Sequence, residues 1–275
     1  MLEKKNILWY NYTNIQAKGL NFMNLKYFFI NEHAIKAMGL DIGFEVWSIG
    51  HILWLIFIVA AGIFISSWYK EQTADMRRMV RRIFALFMAI TETFRDITIA
   101  FTGYFTMEYM PFHLCGLALF FIAADAFIER QKVTKQMIAF AFMPGAVSAL
   151  LFCNWTAYPF FNFMNIHSFA FHAYIIWYFL MIYRAGEVRI DYKGMWKTIA
   201  GIVILVPPMY IVNKIFGTNF MFLNEASAGS PLVPLWNIFY PTFGIVGYIL
   251  SEIALVIVVL HAVYGIYKLI ERRKG

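Results

Sequence analysis

Apolar residues in this chain come in long runs broken by short polar turns. Seven mostly apolar stretches stand out, at 46–68, 82–103, 111–128, 133–153, 165–184, 196–216 and 242–268. A helix needs about 20 such residues to cross the hydrocarbon layer of a bilayer, so the pattern predicts an all-α polytopic membrane protein with seven transmembrane helices. The third run is short and opens with Pro111, a residue suited to a first helical turn. Pro144-Gly145 and Pro207-Pro208 predict kinks in the fourth and sixth. Residues 1–45 read as an interfacial N-terminal segment, anchored by Tyr27, Phe28, Phe29 and Ile30, and 46–270 as the transmembrane domain.

Composition supports lipid as the solvent: 61% of the 275 residues are apolar and 14% charged, more apolar surface than a soluble domain can hide. The net charge of +7 does not point to nucleic acid, because basic residues are divided among short loops rather than gathered in one patch. Their distribution instead predicts topology. Lys70, Arg77, Arg78, Arg81 and Arg82 fill the first loop. Arg130, Lys132 and Lys135 fill the third, and Arg184, Arg189, Lys193 and Lys197 the fifth. Lys268, Arg272, Arg273 and Lys274 close the chain. The intervening loops carry almost none, which puts the C-terminus in the cytoplasm and the N-terminus outside. Lys4, Lys5, Lys18, Lys26 and Lys36 in the tail argue the other way and are outweighed by alternation across six loops. No cleavable signal peptide is evident.

Ionisable groups inside a bilayer are costly and so mark candidate sites. His51, His113, Cys115, His167 and His172 each fall within about 15 Å of the outer surface at 1.5 Å per residue. Arg95 and Asp96 lie somewhat deeper, with Glu92 and Glu252 near the midplane. Asp125 and His261 approach the cytoplasmic side, where solvation explains them. Groups from four helices at similar depth predict one polar pocket in the outer half of the membrane.

Each candidate has a plain alternative. Glu92, Arg95 and Asp96 either neutralise one another or let Arg95 hold an anion or an oxyanion. His113 and Cys115 point about 200° apart on a regular helix, so either the turn after Pro111 is irregular or only one faces the chemistry. Cys115 is a reactive thiol activated by a helix N-terminus, an inert core thiol, or one half of a bridge to Cys153. His167 is expected at the surface. His172, flanked by Phe171 and Tyr174, needs a polar partner and is a candidate general base. His51 is the histidine most readily explained as structural. Zinc held by His51, His113, His172 and Cys115 or Asp96 has no supporting spacing motif, so no metal or cofactor is expected.

GHILWLIF at 50–57, PFHLCGL at 111–117, FHAYIIWYFLMIY at 171–183 and GTNFMFLNE at 217–225 resemble the YwaF-type bacterial integral membrane proteins over about residues 45–268. That resemblance implies residence in a bacterial cytoplasmic membrane. Through an animal relative similar to a phospholipid acyltransferase, it also implies Cys115 as nucleophile and His172 as base. The expected function is therefore a membrane-embedded acyltransferase or lipid hydrolase acting on phospholipid acyl esters. Cys115, His172 and His113 are its catalytic candidates, and Arg95, His51 and Asp96 its substrate contacts. Membrane lipids serve as both substrate and environment. A proton-coupled transporter built on Glu92, Arg95, Asp96 and Glu252, or a non-catalytic scaffold with a Cys115–Cys153 bridge, are the competing expectations.

Overall fold

The computed structural model describes residues 27–103, 105–128 and 132–273; Lys4, Lys5, Lys18, Lys26, Arg130 and Lys274, used above to orient the chain, lie outside them. Helices and irregular segments make up the described chain, which contains no strand. Helix α1 is Glu32–Ala37, α2 Ile49–Lys70, α3 Ala74–Phe101 and α4 Leu114–Phe127. Helix α5 is Lys132–Leu151, α6 Phe163–Arg184, α7 Tyr192–Phe216 and α8 Val233–Arg272. Every apolar stretch is thus matched by a helix.

Length and apolarity separate them further. Five helices, α2, α5, α6, α7 and α8, are long and apolar enough to cross a membrane. Helix α4 is apolar but has only 14 residues. Helix α3 is long at 28 residues, but it begins ADMRRMVRRI and carries Glu92, Arg95 and Asp96 in its second half, and these charges remove it from the apolar class. The outward faces of these helices are apolar, as lipid contact requires: Ile49, Phe64, Ile204 and Val258 are among many large side chains left exposed.

Side-chain caps set several of the helix starts. Thr73 Oγ1 accepts the Met76 N–H to open α3, Asn162 Oδ1 accepts the Met164 N–H to open α6, and Asp191 Oδ1 accepts the Gly194 N–H to open α7. Gly217 ends α7 at φ 65°, in the left-handed conformation that releases the chain. The expected kinks turn out differently in the two proline segments. Helix α7 runs on through Pro207 and Pro208. Helix α5 instead widens into a π-turn at Ile138–Phe142 just before Pro144. In that register the Ala139 carbonyl would accept from residue 144, a proline without an N–H. Tyr267 of α8 supplies the missing donor, with its hydroxyl 2.9 Å from Ala139 O. The last helix starts earlier than residue 242 and is broken at Gly244, where φ 62° and ψ −160° are open only to glycine.

Helix α6 is the hub, packed against α2, α3, α4 and α5. Trp177 Nε1 donates to Ile58 O on α2 at 2.8 Å, the kind of interhelical bond that holds helices together where lipid removes the hydrophobic drive. At the end carrying the basic turns, the Glu187 carboxylate accepts from Tyr69 Oη at 3.1 Å and pairs with Arg77 and Arg81. Asp125 is not solvated as expected. Its carboxylate is buried, accepts the Tyr178 hydroxyl at 2.7 Å and lies 3.7 Å from Lys135 Nζ. Residues 27–45 fold against 155–164, through Phe163 N–H to Phe28 O at 2.8 Å and Phe44 N–H to Thr156 O at 2.9 Å. Of the expected anchors, Phe28 and Phe29 pack on Phe163, and Ile30 is buried.

Candidate functional site

At the end opposite the basic turns, the loops before α4, after α5 and after α7 surround a cavity of about 600 Å³. His113, Cys115, His172, Arg95, Glu92 and Glu252 all border it, although they come from four helices and one loop.

The start of α4 resolves the spacing of His113 and Cys115. Leu114 is the first helical residue, and His113 caps it in extended conformation, at φ −66° and ψ 154°. The 100° per residue of a helix therefore does not separate the two side chains, and both reach the cavity. The His113 ring caps no N–H of α4, so amides of the first turn beside Cys115 keep open hydrogen-bonding capacity. Gly116 makes this turn possible. A Cβ there would sit 2.8–2.9 Å from the backbone of Pro111.

His113 also anchors the GTNFMFLNE segment. Its Nδ1 accepts the Met221 N–H at 3.3 Å, and its ring packs against Phe220 and Phe222, each with centroids 5.3 Å away. Met221 and Phe222 are both left-handed, at φ 57° and 62°. Buried Asn213 at the end of α7 holds that shape. Its Oδ1 accepts the Phe220 N–H at 2.8 Å and the Thr218 hydroxyl at 2.9 Å, while Nδ2 donates to Phe220 O at 2.9 Å. Glu108, from the loop before α4, accepts the Asn219 N–H at 2.8 Å and lies 3.9 Å from His113 Nε2. That longer approach is electrostatic rather than a hydrogen bond. The His113 imidazole beside it and the Asn219 N–H together hold the Glu108 carboxyl below its ordinary range. Across the cavity mouth, burial pushes the Tyr158 phenol up.

On α6, His172 finds its polar partner within its own helix. Nδ1 lies 2.7 Å from Ser168 O, a carbonyl that can only accept, so Nδ1 carries the proton and Nε2 is the basic nitrogen. The ring stacks on Trp155 at 5.2 Å and 12°. Cys115 and His172 border the same cavity without a hydrogen bond between them. His167 is not at the surface as expected. Its side chain is 7% exposed, and Nε2 is 3.3 Å from Glu92 Oε2.

Arg95 spends its donors on protein. Nη1 is 2.7 Å from Glu92 Oε1, Nη2 is 2.6 Å from Asp96 Oδ1, and Nη2 also reaches Tyr109 O at 2.9 Å. It thereby ties α3 to the loop before α4. Asp96 supports Arg95 and is not among the cavity-lining residues. His51 lies elsewhere, fully buried. Its Nδ1 accepts the Trp47 N–H at 2.9 Å, and Nε2 donates to Leu150 O at 2.8 Å. Both ring nitrogens are used on backbone. Cys115 and Cys153 are both free, which removes the bridge that favoured a scaffold. Cys153 is instead buried 4.0 Å from His51 Nε2. Among the described residues no three His, Cys, Asp or Glu side chains converge as a metal site.

Sequence reasoning passed over Ser168, Glu108, Trp155 and Asn213. Ser168 was accessible from its position one turn before His172, and Asn213 from a lone amide closing an apolar run. Glu108 and Trp155 carry no comparable signal. No curated protein and no solved structure matches the chain. A family model does match it over residues 46–264, and the chain belongs to the TMEM164 family of membrane proteins.

Proposed function

We propose that this protein is a membrane-embedded enzyme that moves fatty acyl groups between lipids through a thioester on Cys115. The observation that carries the reading is the shared cavity, bordered by the Cys115 thiol, the His113 cap and the His172 ring. His172 Nε2 takes the thiol proton as the two groups meet around a bound lipid, and the thiolate attacks an ester carbonyl of a phospholipid. The oxyanion is met by amides of the first turn of α4 and by His113. The lysolipid leaves with the proton held by His172, and a second alcohol, or water, discharges the thioester. Arg95 and Asp96 serve this site by fixing Glu92 and the Tyr109 carbonyl. His51 serves by fixing the end of α5.

The same reading has the chain crossing a bacterial cytoplasmic membrane seven times, with its C-terminus inside. Alternation of Lys and Arg between loops and the resemblance to YwaF-type proteins support it. In that orientation the cavity opens toward the outer leaflet. The test uses proteoliposomes containing a phospholipid with a labelled acyl chain. Cys115→Ala is expected to abolish acyl exchange while its thermal unfolding matches wild type. Exchange that persists in that variant refutes the covalent mechanism. Glu252, buried and bordering the same cavity, carries the competing transport reading. Proton flux lost in Glu252→Gln and retained in Cys115→Ala would establish that reading instead.

A further inference from the structure

The proposed chemistry uses one of the two histidines that α6 turns toward the cavity. His167 is the other, and its surroundings are unusual. Its side chain and that of Glu92 are each 7% exposed, and both border the cavity. Their facing atoms, Nε2 and Oε2, approach to 3.3 Å, yet neither makes an aligned hydrogen bond. A buried carboxylate oxygen and a buried imidazole nitrogen that face each other without an aligned hydrogen bond leave hydrogen-bonding capacity unused, which is costly unless a third polar group takes it up. The rest of the environment is fixed. Arg95 holds the other Glu92 oxygen, Oε1, at 2.7 Å and is itself held by Asp96 and the Tyr109 carbonyl. Glu92 is therefore aimed, with one oxygen left for His167 or a ligand.

A thioester mechanism needs two proton transfers at different oxygens and sulfurs: one from the thiol, and one from the alcohol that later takes the acyl group. We infer that Glu92 and His167 form the subsite for that acceptor hydroxyl, an inference that rests on the thioester reading above. The alcohol of a lysolipid sits against His167 Nε2. As its oxygen bonds to the thioester carbonyl carbon, its proton passes to Nε2, and the carbon–sulfur bond breaks. The Cys115 thiolate leaves. The imidazolium formed at His167 is stabilised by the Glu92 carboxylate beside it, and its proton returns through solvent to the Cys115 sulfur, which restores the thiol. Atoms and charge balance without any further reactant. His172 thus serves acylation and His167 deacylation, while Glu92 is a positioning residue.

The experiment separates the two half-reactions. Full-length protein in proteoliposomes is mixed with phosphatidylcholine carrying a radiolabelled acyl chain, quenched, and assayed for hydroxylamine-sensitive label on protein. Lysophosphatidylcholine is then added as the chase. His167→Asn is expected to acquire label at the wild-type rate and to discharge it about a hundredfold more slowly, the usual contribution of a general base. Label therefore accumulates on Cys115. Glu92→Gln should show the same accumulation more weakly, with Glu92→Asp restoring the chase. His172→Asn should acquire no label. A chase at wild-type speed in His167→Asn overturns the inference. So does a parallel fall in labelling and chase, which a merely structural role would give. If wild-type protein never carries label on Cys115 and Cys115→Ala still exchanges acyl groups, the thioester reading itself has failed and takes this inference with it.

Discussion

Replacing Asn213 with Ala tests whether the segment over the cavity is held by one side chain. Three groups lose their partner at once: the Phe220 N–H, the Phe220 carbonyl and the Thr218 hydroxyl. Phe220 is 1% exposed and Thr218 3%, so water does not readily replace the amide. An unsatisfied buried polar group costs about 1–3 kcal/mol, and a hydroxyl can rotate toward another acceptor, so the gross penalty is about 3–5 kcal/mol. Part of it is returned as Met221 and Phe222 leave their left-handed conformations, which store about 1 kcal/mol each. The net loss is about 1–3 kcal/mol. For a chain of this size that corresponds to a fall in unfolding midpoint of roughly 3–10 °C, measurable by tryptophan fluorescence in detergent. Limited proteolysis supplies the local readout, with faster cleavage within 217–225 than in wild type. A variant that melts with wild type and resists cleavage would refute the argument. The bonds to Asn213 would then be dispensable for the shape of the loop.

Other consequences follow from the same contacts. Gly116→Ala drives a Cβ into the Pro111 backbone, and displacement of the PFHLC turn should cost about 1–3 kcal/mol in detergent melts; Gly145→Ala, facing only a flexible leucine end at 3.3 Å, is the milder control. Glu108, whose carboxyl is held low by His113 and the Asn219 N–H, contributes stability that is complete above the unfolded carboxyl range. That stability fades as pH falls through the lower folded value, so Glu108→Gln should flatten the dependence of unfolding midpoint on pH below about pH 5. Glu187→Gln removes the carboxylate that Arg77 and Arg81, 23% and 16% exposed, both pair with. Loss of about 1–3 kcal/mol is expected, discounted from the cost of a fully buried pair and smaller at high salt.

How much of this was legible in the sequence varies with the range of the interaction responsible. Apolar runs are local, and each of the seven marks a helix. Boundaries failed where another force intervened: α8 extends back past residue 242 to Val233, with Gly244 as a break inside it. The polar pocket was legible as a shared depth, because depth follows from counting along each helix. Which way a side chain turns was not. His167 and His172 differ by five residues, and the sequence does not reveal that His167 meets a carboxylate from α3 while His172 bonds its own helix. Asp125 misled for the same reason. Its partners Tyr178 and Lys135 come from two other helices, and only packing brings them together. His113 and Cys115 posed a conflict that one backbone residue settles, by standing just outside the helix.

The widened turn in α5 has a consequence for how this chain can vary in length. One turn accommodates an additional residue, so the halves of α5 on either side keep separate rotational phases. The half before it presents Gln136 to Arg189 O, and the half after it presents Pro144 and Ser148 to the cavity. Deleting a single residue between Ile138 and Phe142 would restore regular winding and turn everything beyond by about 100°. Only one of the two faces could then meet its neighbours, although composition and hydropathy would hardly change. Within those five positions a change of side chain is a local event, whereas a change of count reorients a whole wall of the protein.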